Sequence, residues 1–123
     1  MNNTLLSTSG PLTCHSVRLR RGDDLLLSIK DIARQKHIRS GVVLSAVGCI
    51  SKGRVRDASG VTIRDITDHC EIVSLNGTVG GHLTPGCIIN TTCELVIAEL
   101  PGVCFGVEED PETGYDELIF QKA

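Results

Sequence analysis

Most apolar residues of this chain recur at every second position, and one early segment places them instead at the spacing of a helix. Alternation is typical of strands that bury one face. It occurs in the segments 17–21, 61–66, 71–76, 88–97 and 115–120. The helical spacing occurs at Leu25, Ile29 and Ile32, directly after Asp24, a residue type that caps helices. The pattern therefore predicts one helix that begins near Leu25 and ends before Gly41, with strands before and after it.

Residues 42–50 form a nearly continuous apolar run, which is typical of a strand covered on both faces. We expect this strand to be the centre of the core, with the helix on one side. Small residues at Ser45, Ala46 and Gly48 leave space for a close neighbour, either the helix or another subunit. The pattern then predicts a meander: a short strand at 54–56, a turn, and the strand at 61–66.

Taken together, these elements predict an α+β domain: an antiparallel (mixed) β-sheet with one main helix packed on it. Residues 1–15 are rich in Ser, Thr, Asn, Gly and Pro without periodicity, so we expect a flexible N-terminal arm followed by a domain at 16–122. Pro101 and Gly102 break the chain, and the segment 110–114 predicts a further turn before the closing strand.

Composition narrows the class of protein. The chain has 123 residues, enough for one domain, and aromatic residues make up only 2% of it, so Ile, Leu and Val must build the core. A net charge of -3 gives no general attraction to nucleic acid. The six cysteines occur without a signal-like apolar N-terminus, so we expect reduced, mostly buried thiols in an intracellular protein, cytoplasmic or nuclear. No segment is long and apolar enough for a membrane span.

The segment 77–86 concentrates four glycines and one proline around a single histidine, His82. This composition favours unusual backbone conformations over burial. It does not match a phosphate-binding loop, because no lysine follows and no helix begins there. The chain also lacks the Gly-x-Ser-x-Gly pattern of a nucleophile elbow, so nucleophilic catalysis has little support.

Five segments in order resemble the PPC (plant and prokaryote conserved) domain, a domain long described as of unknown function. They are 17–25 (VRLRRGDDL), 44–48 (LSAVG), 71–78 (EIVSLNGT), 80–83 (GGHL) and 86–94 (GCIINTTCE). The resemblance runs from about Ser16 to Lys122. It implies an α+β fold, assembly as a homotrimer and, in many stand-alone members, a zinc ion held by histidines.

Those histidines come from a His-x-His pair on one strand and from the Gly-Gly-His motif, and only the second carries over, onto His82. Members normally have a loop and the His-x-His strand between Gly-Thr and Gly-Gly-His. In this chain only Val79 separates Thr78 from Gly80. The chain therefore looks like an internally shortened form at 78–79, from a skipped exon or as a divergent paralogue, and its sheet is expected to keep an unpaired edge.

Zinc needs three or four ligands, which His82 alone does not supply. His69, Cys70 and Cys87 are nearby in sequence, and a trimer would bring three copies of His82 around its axis, but none of these has recognised ligand spacing. We therefore expect no cofactor, with zinc at His82 as the alternative.

The function predicted from the resemblance is a non-catalytic, self-associating module with a DNA-binding or regulatory role. The AT-hooks of the plant relatives are missing, so DNA binding would depend on one of two arginine groups, which we interpret first as solvated surface charge. They are Arg54, Arg56 and Arg64, and Arg18, Arg20 and Arg21. The alternative is a metal-dependent enzyme or small-ligand binder with His82 at a subunit interface and Glu71 or Glu94 as second-shell or acid/base groups.

Overall fold

A computed structural model describes residues 7–72 and 82–122. Its elements, numbered in chain order, are β1 (Thr13–Arg20), α1 (Leu25–Gln35), β2 (Gly41–Arg56), β3 (Ile63–Ile66), β4 (Cys70–Ile72), β5 (His82–Leu83), β6 (Ile88–Glu99), β7 (Val103–Asp110) and β8 (Tyr115–Lys122). All pairings between these strands are antiparallel. The predicted antiparallel sheet with one helix is confirmed for the described residues, and strands dominate it. No helix among those residues is long and apolar enough to cross a membrane.

The long strand β2 organises a six-stranded sheet in the order β1-β6-β2-β3, and β4 and β5 also pair with β2. We predicted separate strands at 42–50 and 54–56, but β2 runs through both without a break. Gly53 makes this continuity feasible, because a Cβ at this position would come within 3.1 Å of Ile50 and 3.3 Å of Ile66. A side chain there would crowd Ile50 and Ile66, which would have to shift by a few tenths of an ångström, whereas glycine leaves them room.

Helix α1 begins where the sequence predicts. One carboxylate oxygen of Asp24 accepts a hydrogen bond from Leu27 N at 3.1 Å, and the other accepts from Gly86 N at 2.6 Å. The cap therefore satisfies a free amide of the first helical turn and also ties the helix to the segment before β6. The predicted apolar stripe is confirmed: Leu25 is buried, and Ile29 and Ile32 pack against the core.

The helix ends at Gln35, and His37 lies just beyond its C-cap residue, Lys36. His37 has a φ of 54°, in the left-handed region. Its N–H donates to Arg34 O at 3.3 Å, and Ile38 N donates to Ala33 O at 2.8 Å. These two bonds form a Schellman motif, which closes the helix without the glycine that usually occupies this position.

The core lies between α1 and one face of the sheet. Its buried residues are Leu19, Leu25, Ala46, Cys87, Ile89, Cys93 and Leu95. The alternation predicted for residues 88–97 is confirmed in β6, where Ile89, Cys93, Leu95 and Ile97 are buried. Thr91 belongs to the same alternation but is exposed, because the pairing of β2 with β6 shifts register between Gly48 and Ile50.

The opposite face of the sheet is largely exposed along β2, which corrects the prediction that residues 42–50 are buried on both sides. Val42, Leu44 and Val47 are 45%, 53% and 61% exposed. Helix α1 covers the inward face, whereas these three side chains of the opposite face stay about half exposed. We call this surface, which carries Arg18, Val42, Leu44, Val47 and Glu94, the outer face.

Two boundaries differ from the sequence analysis. Strand β1 begins at Thr13, because Thr13 to Ser16 pair with residues 96–99 of β6. The last three residues of the segment expected to be a flexible arm are thus part of the sheet. The strand predicted at 71–76 is described only to Ile72, and the glycines of 77–81 and the junction at 78–79 lie outside the described residues.

Strands β7 and β8 form a separate two-stranded sheet, joined by the turn predicted at 110–114. Its base is held by the residues before β2: Phe105 N donates to Arg39 O at 3.0 Å, and Leu100 N donates to Ser40 O at 3.0 Å. We call this unit the β7–β8 hairpin.

Nine residues, 73–81, lie between β4 and β5 in the sequence. Both strands run antiparallel to β2, on opposite edges of it, so they are parallel to each other. Ile72 lies opposite Gly48, and His82 lies opposite Arg56. Ile72 and His82 are therefore eight residues apart along β2 and two strand spacings apart across it, a distance of about 28 Å. The ten residue steps from Ile72 to His82 span at most about 35 Å when fully extended. Crossovers between parallel strands usually take a dozen residues or more.

The close contact of β2 with β6 predicts the effect of a single methyl group. A Cβ on Gly48 would lie 2.2 Å from Thr92 O and 2.7 Å from Cys93 Cα, both backbone atoms that cannot rotate away. We expect Gly48→Ala to lower the free energy of unfolding by about 2 kcal/mol, measured by chemical denaturation. Ser45→Ala, at an exposed position of the same strand, is the control and should change it little. An equally stable Gly48→Ala variant would contradict this packing.

Candidate functional site

His82, the one histidine that the family resemblance singles out, lies in β5 directly opposite Arg56 of β2. It is exposed. The Nε of Arg56 is buried and has no hydrogen-bond partner in the described protein. Residues directly opposite each other in antiparallel strands project to the same face, so the positive charge of Arg56 lies on the side of His82 and disfavours a bound cation there.

Glu71 and Glu94 are exposed on other parts of the sheet. Glu71 lies opposite Cys49, and Glu94 lies opposite Val47. These positions precede Arg56 by seven and nine residues along β2, or roughly 20–30 Å. Within one copy of the chain the structure therefore does not bring either carboxylate to His82. Their predicted role required a subunit interface, and it stays a prediction.

The other residues weighed as ligands are also dispersed. Cys70 lies opposite Ile50, and His69 is exposed just before β4. The buried Cys87 thiol accepts from Arg54 N at 3.2 Å and donates to Arg54 O at 3.3 Å. Burial raises the pKa of the Cys87 thiol, which disfavours the thiolate that binds zinc. Within residues 7–72 and 82–122, no three His, Cys, Asp or Glu side chains form a group able to hold a metal.

The arginines at the end of β2 are brought together with carboxylates. Arg54 Nε lies 3.3 Å from Asp65, and Arg64 Nε lies 3.8 Å from Asp57. A hydrogen bond from the Ser59 hydroxyl lowers the pKa of Asp57, and the charge of Arg64 adds to this effect. These contacts offset two positive charges of the first arginine group.

The second arginine group, Arg18 and Arg20 of β1 with Arg21 directly after it, has no carboxylate partners among the described ion pairs. Arg18 donates to the Thr92 hydroxyl at 3.0 Å, and Arg21 donates to Asn90 O. Arg18 and Arg20 alternate with the inward residues of β1 and so lie on the side of the outer face. This group is the less neutralised of the two.

The structure also reveals a contact that the sequence analysis missed. The Cys49 thiol lies 3.0 Å from the Thr91 hydroxyl, and hydrogen bonding from Thr91 lowers the pKa of this thiol. Burial has the opposite effect on Cys93, whose pKa is raised. All six cysteines are free, but only Cys87 and Cys93 are buried, so the expectation of mostly buried thiols is wrong. Cys49 and Thr91 are 42 positions apart, and no sequence signal pairs them.

A family model for the Plants and Prokaryotes Conserved (PCC) domain matches residues 6–79, which is more than half of the chain. The chain belongs to the PCC domain family. This is the family whose resemblance was noted above under the abbreviation PPC. The matched segment ends at residue 79, inside the region where the sequence analysis places the internal shortening.

Two curated relatives of this PCC domain are bifunctional GlmU proteins from two Synechococcus strains. They are 36% and 35% identical over 131 and 133 residues, which cover 91% and 93% of this chain. The chain spans only about a fifth of the length of these relatives, 21% in each case. The similarity therefore concerns one part of the GlmU proteins.

Solved structures share the fold over nearly the whole PCC domain. A hypothetical protein from Salmonella is 25% identical, with a TM-score of 0.86 and coverage of 94% of this chain and 97% of the other. A metal-containing protein from Archaeoglobus fulgidus has a TM-score of 0.65 at 17% identity, covering 95% and 98%. A protein from Bacteroides thetaiotaomicron, described as a DNA-binding candidate, has a TM-score of 0.70 at 16% identity, covering 95% and 97%. At these last two identities the likeness shows the fold alone.

The thiol environments predict a ranking of cysteine reactivity. The thiolate is the reactive form, so Cys49, whose pKa is lowered and which is not buried, should be alkylated faster near neutral pH than Cys87 or Cys93. Thr91→Val removes the hydroxyl, raises the pKa of Cys49 and should slow its alkylation, while Thr92→Val should not. Site-resolved mass spectrometry during alkylation measures each rate. Equal rates at Cys49 with and without Thr91 would contradict the assignment.

Proposed function

We propose that this PCC domain is a non-catalytic module that self-associates through its outer face. The observation that carries the proposal is the row of aliphatic side chains on β2: Val42, Leu44 and Val47, each about half exposed. Exposed apolar side chains that form a continuous patch, rimmed by polar groups such as Arg18 and Glu94, are typical of interaction surfaces. The homotrimer expected from the family resemblance is the assembly we propose.

The make-up of the sheet supports this proposal. Residues on the inward side of β2 and β6 are buried under α1, and the same strands carry aliphatic residues on the opposite side. In a solitary antiparallel sheet that side is normally polar. Because each of these side chains is already about half covered, burying the remainder in an interface contributes about 1 kcal/mol for each. A second copy of the chain would thus serve as the missing layer.

DNA binding is the second candidate, and it rests on weaker support. Proteins of the same fold are described as DNA-binding candidates. In this chain Arg18 and Arg20 lack carboxylate partners within the described ion pairs, whereas Arg54 and Arg64 have them. A trimer would gather three copies of the β1 arginines. With a net charge of -3 per chain, such binding would be local and strongly dependent on salt.

An enzyme or ligand binder built on a metal at His82 has less support still. Arg56 faces His82, and Glu71 and Glu94 lie elsewhere on the sheet. The metal described for the Archaeoglobus structure is a property of that protein. A zinc ion here would need three copies of His82 around a symmetry axis, with the Arg56 guanidinium next to each.

We also propose that the chain is an internally shortened member of the family. The alignments with the GlmU proteins run over 131 and 133 residues, although 91% and 93% of this chain amount to only about 112 and 114. About 19 positions of the relatives thus have no counterpart here. The family match ends at residue 79, and the connection from Ile72 to His82 is short for a crossover. A strand and its turn fit a gap of this size.

The self-association proposal predicts a change of mass in solution. We expect the wild-type chain to sediment as an oligomer, and Val47→Asp to shift it to the monomer, because a carboxylate would be desolvated in the interface. Val61→Asp is the matched control: Val61 is 82% exposed but lies in the turn before β3, away from the outer face. A monomeric wild type, or an oligomer that tolerates Val47→Asp, would refute the proposal.

The metal content follows from the surroundings of His82. After purification with zinc and dialysis, we expect far less than one zinc per three chains, and no difference between wild type and His82→Ala by elemental analysis. His37→Ala, which changes a histidine outside β5, serves as the control. One zinc per chain or per three chains that is lost in His82→Ala alone would show that the imidazole does bind metal.

A further inference from the structure

The β7–β8 hairpin has an apolar face of its own. Phe105 lies opposite Phe120, and their rings meet edge to face with centroids 5.4 Å apart. On the next rung of the same face, Val107 lies opposite Leu118, and these two side chains are 67% and 56% exposed. A two-stranded sheet is marginally stable in water unless its apolar face is covered. The hairpin therefore needs a partner surface.

The far end of the hairpin carries concentrated negative charge. The segment 108–117 contains six carboxylates and no cation. Two successive rungs place acids directly opposite each other, Glu108 with Glu117 and Glu109 with Asp116, an arrangement that destabilises an isolated hairpin. None of these carboxylates takes part in an ion pair of the described protein. Since the whole chain has a net charge of -3 and this segment -6, the rest of the chain is net +3.

The outer face offers matching chemistry. Val47, Glu94 and Arg18 occupy one rung across β2, β6 and β1, so the apolar row and the Arg18 position are about 10 Å apart. Arg20 extends the positive charge along β1. The two arginines and Glu94 together leave this part of the outer face with a net charge of about +1. On the hairpin, the apolar rungs lie about 7 and 14 Å from the rung of Glu109 and Asp116 on the same face.

We propose that the β7–β8 hairpin of one copy lies across the outer face of a second copy. Phe105, Val107 and Leu118 cover the aliphatic row of β2, and Glu109 and Asp116 pair with Arg18 and Arg20. The inference rests on the proposed self-association and adds the geometry of the contact. The hairpin of one copy and the outer face of the other are different surfaces, so the contact is head-to-tail. Contacts of this kind close into rings or extend as filaments.

Charge reversal on one face of the hairpin tests this contact. The variant E109K/D116K should weaken association at least about tenfold, measured as the dissociation constant by sedimentation at moderate salt. The matched control is E108K/E117K, which makes the same charge change on the adjacent rung, on the opposite face of the hairpin, and should leave association near the wild-type value. Circular dichroism verifies that both variants keep their strands.

A compensating variant distinguishes loss of the contact between copies from loss of the fold. R18E/R20E alone should also weaken association, and the fourfold variant R18E/R20E/E109K/D116K should restore it, because both charges of the contact are then exchanged. Association of E109K/D116K like that of the wild type, an equal loss in E108K/E117K, or no rescue in the fourfold variant would each overturn the proposal. If Val47→Asp abolishes assembly while E109K/D116K does not, self-association stands and the hairpin contact falls. A monomeric wild type refutes both.

Discussion

The backbone pairing of β2 is the constraint on which the structure depends. This one strand is hydrogen-bonded to β6 and β5 on one edge and to β4 and β3 on the other. The approach of β6 is so close at Gly48 that no side chain fits. Because each neighbouring strand takes its register from β2, the placement of the helix cap, the core and His82 all follow from that pairing.

A single helix on a broad sheet leaves the core one-sided. Helix α1 covers the inward face, and Asp24 joins its first turn to the segment before β6. The aliphatic residues of the outer face and of the β7–β8 hairpin remain exposed in one copy. Both surfaces are more apolar than is usual for strand faces in contact with water. The assembly that we propose would cover them with a second layer, which one copy of the chain does not supply.

Within the PCC family, this chain retains the sheet and helix but presents a single family histidine in a setting dominated by Arg56. A metal site depends on several ligands meeting at one point, so the internal shortening that we propose would remove such a site. An interaction surface is spread over many residues and tolerates such a loss. This difference explains why we attribute the function to association and not to metal chemistry, although relatives of the same fold include a metal-containing protein.

The sequence by itself determined the local elements. Helix α1 could be predicted from the spacing of Leu25, Ile29 and Ile32 and from the cap at Asp24, and β6 from its alternation. These features belong to short segments of the chain, so the sequence shows them directly. Only the tertiary structure decided that Val42 and Val47 are exposed, that Thr91 turns outward beside Cys49, and that Arg56 faces His82. Each of these depends on pairing between residues far apart in the chain. The register between strands far apart in the chain depends on which face of each strand is buried, and that is decided by contacts between distant segments.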